Sequence, residues 1–196
     1  MEQTGTTAVL DGIEVPGQGT WEIDPAHTGV SFVARYMMLS KVRGLFTRFG
    51  GQIHIGPTPE ESWVEVTIDP TSIDTGMEMR DNHLRSPDFF EVELYPQMTF
   101  KSTRVERTGG TTLKVVGDLT IRNVTRPVVL DVEYQGLGIG LRGDTRAAFS
   151  ASGEIDREEF GISWNQNLET GGVLVGKRIR IELDVQAVAA MKTEAA

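Results

Sequence analysis

An all-β fold, an antiparallel up-and-down barrel of about eight strands, is predicted by three observations. Apolar and polar residues alternate with a period of two through most of the chain, giving strands one dry face and one wet face. Short stretches of Gly, Pro, Asn and Asp join the runs, so neighbours in sequence should be neighbours in space. Glycine supplies 22 of the 196 residues, above the usual ~7%, as strongly coiled strands with corners require. Closing the sheet removes both unpaired edges, which favours a barrel. A two-sheet sandwich is the alternative.

Eight runs carry this reading. Val30, Phe32, Ala34 and Tyr36 share one face of the first; Leu45, Phe49, Ile53 and Ile55 mark the second, bent at Gly50-Gly51. Val64, Val66 and Ile68 form the third, and Met98, Phe100 and Ser102 the fourth. Leu113 to Ile121 and Val128 to Tyr134 follow, separated by a turn at Asn123. The seventh holds Ala147, Phe149, Ala151, Gly153 and Ile155. The last and longest alternates Val173, Val175, Ile179, Ile181, Leu183 and Val185 with charged residues. Residues 1–18 show no sustained period and read as a flexible arm, 19–189 as the barrel domain and 190–196 as a frayed tail.

Composition narrows the function classes. With no cysteine the chain has neither a disulfide framework nor a thiolate metal site. A net charge of −9 argues against nucleic acid as a partner. The first ten residues lack the basic start and apolar stretch of a signal peptide, and no run reaches the ~18 apolar residues of a membrane span. A cytoplasmic protein without stable membrane insertion is therefore expected, and the exposed arm is compatible with a homodimer.

The region from Gly76 to Gln97 breaks the pattern. Met79, His83 and Leu84 share a rough helical face. Ser86-Pro87 resembles an N-cap followed by proline at the first helical position, opening a second short turn through Phe89-Phe90. Two short helices over one barrel mouth would make a lid. Arg80, Asp81 and His83 could form a polar cluster there that receives a ligand head group; a packing histidine is the plainer reading of His83. Gly161-Ile162-Ser163-Trp164-Asn165 is not a nucleophile elbow. His27, His54 and His83 are too scattered to pre-organise a metal. No catalytic set and no cofactor are expected. An eight-stranded barrel either fills its interior or holds one small ligand, and the small inward residues Gly117, Ala147, Ala151 and Gly153 favour a cavity.

The residues also carry a resemblance. Trp21-Glu22-Ile23-Asp24-Pro25-Ala26-His27, Val42-Arg43-Gly44-Leu45-Phe46, Arg80 to Phe90, Tyr95 to Phe100, Gly117 to Ile121, Val124 to Val128 and Asp156 to Ile162 together resemble the YceI-like family of lipid- or polyisoprenoid-binding proteins, over about residues 20–188. The resemblance implies a lipocalin-like barrel whose elongated apolar pocket takes the tail of an isoprenoid quinone or a polyprenyl phosphate. The family often has histidine where Tyr36 stands and glycine where Asn123 stands; Asn tolerates positive φ in a turn. The implied role is a non-enzymatic carrier, store or sensor. The tail would lie along Val30, Phe32, Tyr36, Phe49, Leu84, Phe89, Phe100, Phe149, Trp164, Ile179 and Ile181, with Arg35, Arg80, Asp81 and His83 meeting the head group. An enzyme using Asp81 and His83 as an acid–base pair, and a structural barrel with a filled interior, are the alternatives.

Overall fold

The computed structural model describes residues 7–169 and 171–190. In chain order the strands are β1 (Thr7–Leu10), β2 (Ile13–Pro16), β3 (Gly19–Ile23), β4 (Gly29–Tyr36), β5 (Ser40–Phe46), β6 (Phe49–Ile55), β7 (Trp63–Ile68) and β8 (Ile73–Asp74). Helix α1 (Glu78–Arg85) follows, then β9 (Met98–Arg107), β10 (Thr112–Ile121), β11 (Val124–Ile139), β12 (Thr145–Asp156) and β13 (Val175–Ala189). No helix among the described residues is long and apolar enough to cross a membrane.

The expected barrel is closed, antiparallel and eight-stranded. β9, β10, β11, β12 and β13 follow one another as a meander, and β13 then pairs with both β3 and β4. The first three strand positions are each broken into two segments. β3 pairs with β6 while β4 pairs with β5; likewise β6 pairs with β7 while β5 pairs with β8. Two of the three breaks, at 47–48 and 69–72, are tied together by one buried hydroxyl. Ser72 Oγ accepts from the backbone N–H groups of Thr47 (3.1 Å) and Arg48 (3.0 Å) and donates to the carbonyl of Asp69 (2.6 Å). Helix α1 and the turn after it cover one end of the barrel, where Leu84, Phe89 and Phe90 reach the interior.

Two sequence expectations change. Residues 7–16, where no period was visible, form a hairpin, β1 against β2. Its turn is Asp11-Gly12, both at positive φ (53° and 81°), the dipeptide a two-residue hairpin loop selects. Residues 1–6 and 191–196 of the expected arm and tail lie outside the described residues. At the β10–β11 turn the positive φ falls on Arg122 (57°), not on Asn123.

The small inward residues do not all make room. A side chain at Gly117 would meet the Phe100 ring at 2.4 Å, and one at Gly153 would meet Leu130 at 2.8 Å. Neighbours already occupy those spaces. Ala147 is fully packed with Trp21 and Ala187. Only Ala151 borders empty volume. The cavity therefore comes from barrel geometry, not from missing bulk.

Candidate ligand channel

The inward faces enclose two adjoining apolar compartments. The one beneath α1 has a volume of about 210 Å³; the one at the opposite end has about 330 Å³. Ile23, Val66, Phe100, Leu130, Leu183 and Val185 border both, so the two abut inside the barrel and together form its ligand channel, with these side chains between them. This falls in the size range of small-ligand sites. Phe32 and Phe100 shape it through the glycines beside them. The Phe32 ring lies over Gly44, its register partner, as Phe100 lies over Gly117, the way aromatics cover strand glycines.

Of the residues selected from sequence, Val30, Phe32, Phe49, Leu84, Phe89, Phe100, Ile179 and Ile181 line the compartment under the lid. Phe149 lines the far one. Arg35, Tyr36, Arg80, Asp81, His83 and Trp164 border neither. Arg35 and Tyr36 face solvent. Trp164 and His83 form a second layer behind the wall: their rings meet at 4.7 Å, and each packs on Phe89, at 5.3 Å and 5.1 Å.

The lid explains the remaining polar residues. α1 is a single helix. Ser86 is its C-cap, not the N-cap of a second one, and residues 87–90 turn back so that Phe90 N donates to Leu84 O (3.0 Å) and Glu91 N to Ser86 O (2.9 Å). Buried Asp81 accepts from Thr75 N (3.0 Å) and Thr75 Oγ1 (2.6 Å), while Arg80 donates to Thr75 Oγ1 (2.7 Å) and Thr75 O (2.8 Å). Both side chains are spent on fastening the loop that leads into α1. The carboxylate beside His83 is that of Asp88, at 2.8 Å from Nε2, so Asp81 and His83 do not form an acid–base pair. Arg85 clamps the other side, donating to Thr71 O (2.9 Å) and Ile73 O (2.8 Å).

Sequence reasoning missed Arg157, the charged side chain on the wall of the compartment under the lid; Arg107 borders the far one. Arg157 is 4% exposed and donates to Gly176 O (3.1 Å), Ile162 O (2.8 Å) and Trp164 O (2.9 Å). Burial lowers its pKa from the ordinary guanidinium value, against the pull of Glu158 and Asp156; arginine stays protonated regardless. Its environment could not be read from Asp156-Arg157-Glu158, which looks like a solvated charge run.

The far mouth carries the N-terminal hairpin. Val9, Leu10, Val15 and Pro16 border the compartment there. Three side-chain contacts hold the hairpin and the segment after it: Tyr134 Oη donates to Glu14 O (2.8 Å), Trp21 Nε1 donates to Gly17 O (3.0 Å), and Arg107 pairs with Asp11 (2.7 Å). Burial, with the Glu14 charge, raises the Tyr134 pKa. Asp11-Gly12, between two apolar runs, was the signal that could have located this plug. Among the described residues no cluster of His, Asp and Glu could hold a metal.

Comparison with known proteins agrees with this architecture. A UPF0312 protein of Staphylococcus epidermidis is 38% identical over 169 residues, covering 85% of this chain and 95% of its own. The Campylobacter jejuni YCEI protein is 31% identical with a TM-score of 0.68, covering 78% of this chain and 88% of that one. Burkholderia cenocepacia BcnA superposes with a TM-score of 0.74 at 26% identity over 84% of this chain and 98% of that one. A structure from Saccharophagus degradans, described as a polyisoprenoid binding domain implicated in plant cell wall breakdown, shares the fold at 15% identity and a TM-score of 0.64, over 87% of this chain and 98% of that one. The YceI-like domain profile matches residues 21–187, nearly the whole barrel, and the chain belongs to the YceI-like family.

Proposed function

We propose that this protein binds one long-chain polyisoprenoid lipid, of the isoprenoid quinone or polyprenyl phosphate type, and carries or stores it. The observation that supports this most is the pair of adjoining, predominantly apolar compartments that occupy the barrel between the lid and the hairpin. A flexible branched hydrocarbon fits such a site better than a compact polar metabolite. The solved relative described as polyisoprenoid binding has the same fold.

Energetics set the chain length. At ~0.8 kcal/mol per buried CH₂, a five-carbon unit contributes at most about 4 kcal/mol gross. Association and ordering cost about 4–15 kcal/mol. A two-unit chain barely breaks even, whereas a long one binds without any polar contact. The head group then remains near a mouth, because the walls offer it few charged partners besides Arg157 and Arg107.

The direct test is native purification, organic extraction and mass spectrometry of the extract. A stoichiometric polyprenyl species is expected. A clean extract at high protein load, with no affinity for added polyprenols, would refute the reading.

A further inference from the structure

We propose that the β4–β5 turn, Tyr36-Met37-Met38-Leu39, is a docking tip for an anionic membrane surface, through which the channel exchanges its lipid. The proposal rests on the lipid-binding reading above, because a long isoprenoid has to be collected from a bilayer.

Four observations meet at this turn. First, it exposes a run of large apolar side chains: Tyr36 is 41% exposed, Met37 37%, Met38 59% and Leu39 80%. Second, its backbone runs against its sequence. Met37 and Met38 both have positive φ (52° and 58°), a conformation that costs an L-residue roughly 1–2 kcal/mol. Asn-Gly or Asp-Gly would relieve it, and Asp11-Gly12 does so in the N-terminal hairpin of this same chain. Bulky apolar residues kept where the fold asks for glycine point to a use outside folding.

Third, the tip is flanked by cations in excess of the acids beside them. Arg35 and Lys41 stand directly opposite each other across the ladder, an arrangement that is destabilising by itself. Among the described residues neither has an ion-pair partner. Arg43 and Arg180 extend the patch, and with Lys41 they share a single acid, Glu182, whose pKa is lowered first by the hydrogen bond from Arg43. On a chain of net charge −9 this is a local reversal of sign. At physiological salt the distant acids are screened beyond ~8 Å, while cations in contact with a surface are not. Fourth, the tip sits at the channel rim: Val175, the register partner of Tyr36, lines the compartment beneath α1. Met77 and Met79, exposed at the start of α1, belong to the lid over the same end. Apolar side chains ringed by Lys and Arg are the composition of an interfacial anchor.

The test is flotation of the full chain with vesicles of equal parts phosphatidylcholine and phosphatidylglycerol, against vesicles of phosphatidylcholine alone. The wild type should float with the anionic vesicles, at least tenfold more than with the neutral ones, and less as salt rises. Met37→Asn/Met38→Gly/Leu39→Ser should abolish flotation while keeping or raising the melting temperature, because it gives the turn its preferred residues. Arg35→Gln/Lys41→Gln should reduce partitioning at least tenfold. Polyprenol delivered from detergent micelles and followed by tryptophan fluorescence reports the channel separately. Unchanged polyprenol binding with lost flotation in the tip variant supports the proposal. Undiminished flotation of that variant, or none of the wild type, overturns it. So does loss of a dimer instead of loss of vesicle binding, which would assign the tip to a second copy of the chain. Flotation without polyprenol binding would refute the ligand reading alone.

Discussion

Phe32 and Phe100 narrow the channel because Gly44 and Gly117 give their rings a seat. Phe32→Asp together with Phe100→Asp would place two carboxylates in an apolar site, and polyprenol binding should fall below detection in a fluorescence titration while the barrel's circular dichroism persists. Gly117→Ala acts on the same wall from behind. A methyl there would stand 2.6 Å from the backbone oxygen of Lys101 as well as against Phe100, so a loss of about 1–3 kcal/mol and weaker polyprenol binding are expected. Arg157 makes a different demand. Lysine keeps the charge but cannot hold the carbonyls of Ile162, Trp164 and Gly176 at once. Arg157→Lys should cost about 2–4 kcal/mol, read as a clearly lowered melting temperature by calorimetry. At this scale the sequence was half legible. Alternation announced most of the aromatics and aliphatics that point inward, Tyr36 and Trp164 excepted. It said nothing of hydrogen bonding, and so Arg80 and Asp81 looked available for a ligand when Thr75 holds both.

Among the elements, the strands were the most legible and the ends the least. A period of two survives in each barrel strand because one face meets the channel and the other meets water. The breaks at residues 47–48 and 69–72 depend on Ser72, and all three, with that at 24–28, on neighbouring strands changing partners together, which no local pattern encodes. The lid was placed correctly but given one helix too many, because Ser86-Pro87 looks the same at a helix start and just beyond a helix end. The N-terminal hairpin was missed because its eight strand residues are too few to establish a period. Its anchors, Tyr134 and Arg107, also lie about a hundred residues away. Deleting residues 1–16 should uncover the far compartment. Polyprenol exchange measured by stopped-flow fluorescence should then accelerate, with little change in barrel stability because no ladder joins the hairpin to the barrel.

For the whole molecule, resistance to acid should be set partly where β3 leaves the barrel. Asp24 accepts from Arg146 (2.6 Å) and lies against His27 (2.7 Å), and chiefly the Arg146 hydrogen bond lowers its pKa to about 2 from an ordinary 3.8. A depressed carboxylate contributes stability above its unfolded pKa and loses it as pH falls through the folded one. The melting temperature should therefore drop between about pH 4 and pH 2, and Asp24→Asn should be less stable at neutral pH while flattening that part of the profile. The closed topology was legible at this scale because closing eight one-sided strands in meander order removes both edges at once, which a two-sheet sandwich does not.

Closure has one more consequence, in time. β13 pairs with β12 on one side and with β3 and β4 on the other, so the first barrel strands wait for the last one made. Until residues 175–189 have left the ribosome the wall has a gap along its length. The nascent chain is then an open sheet, and loading must follow synthesis. The same seam joins residues about 150 positions apart, which places closure late and slow in folding. A hydrophobic chain present at that moment could be enclosed as the sheet shuts, without ever passing through either mouth.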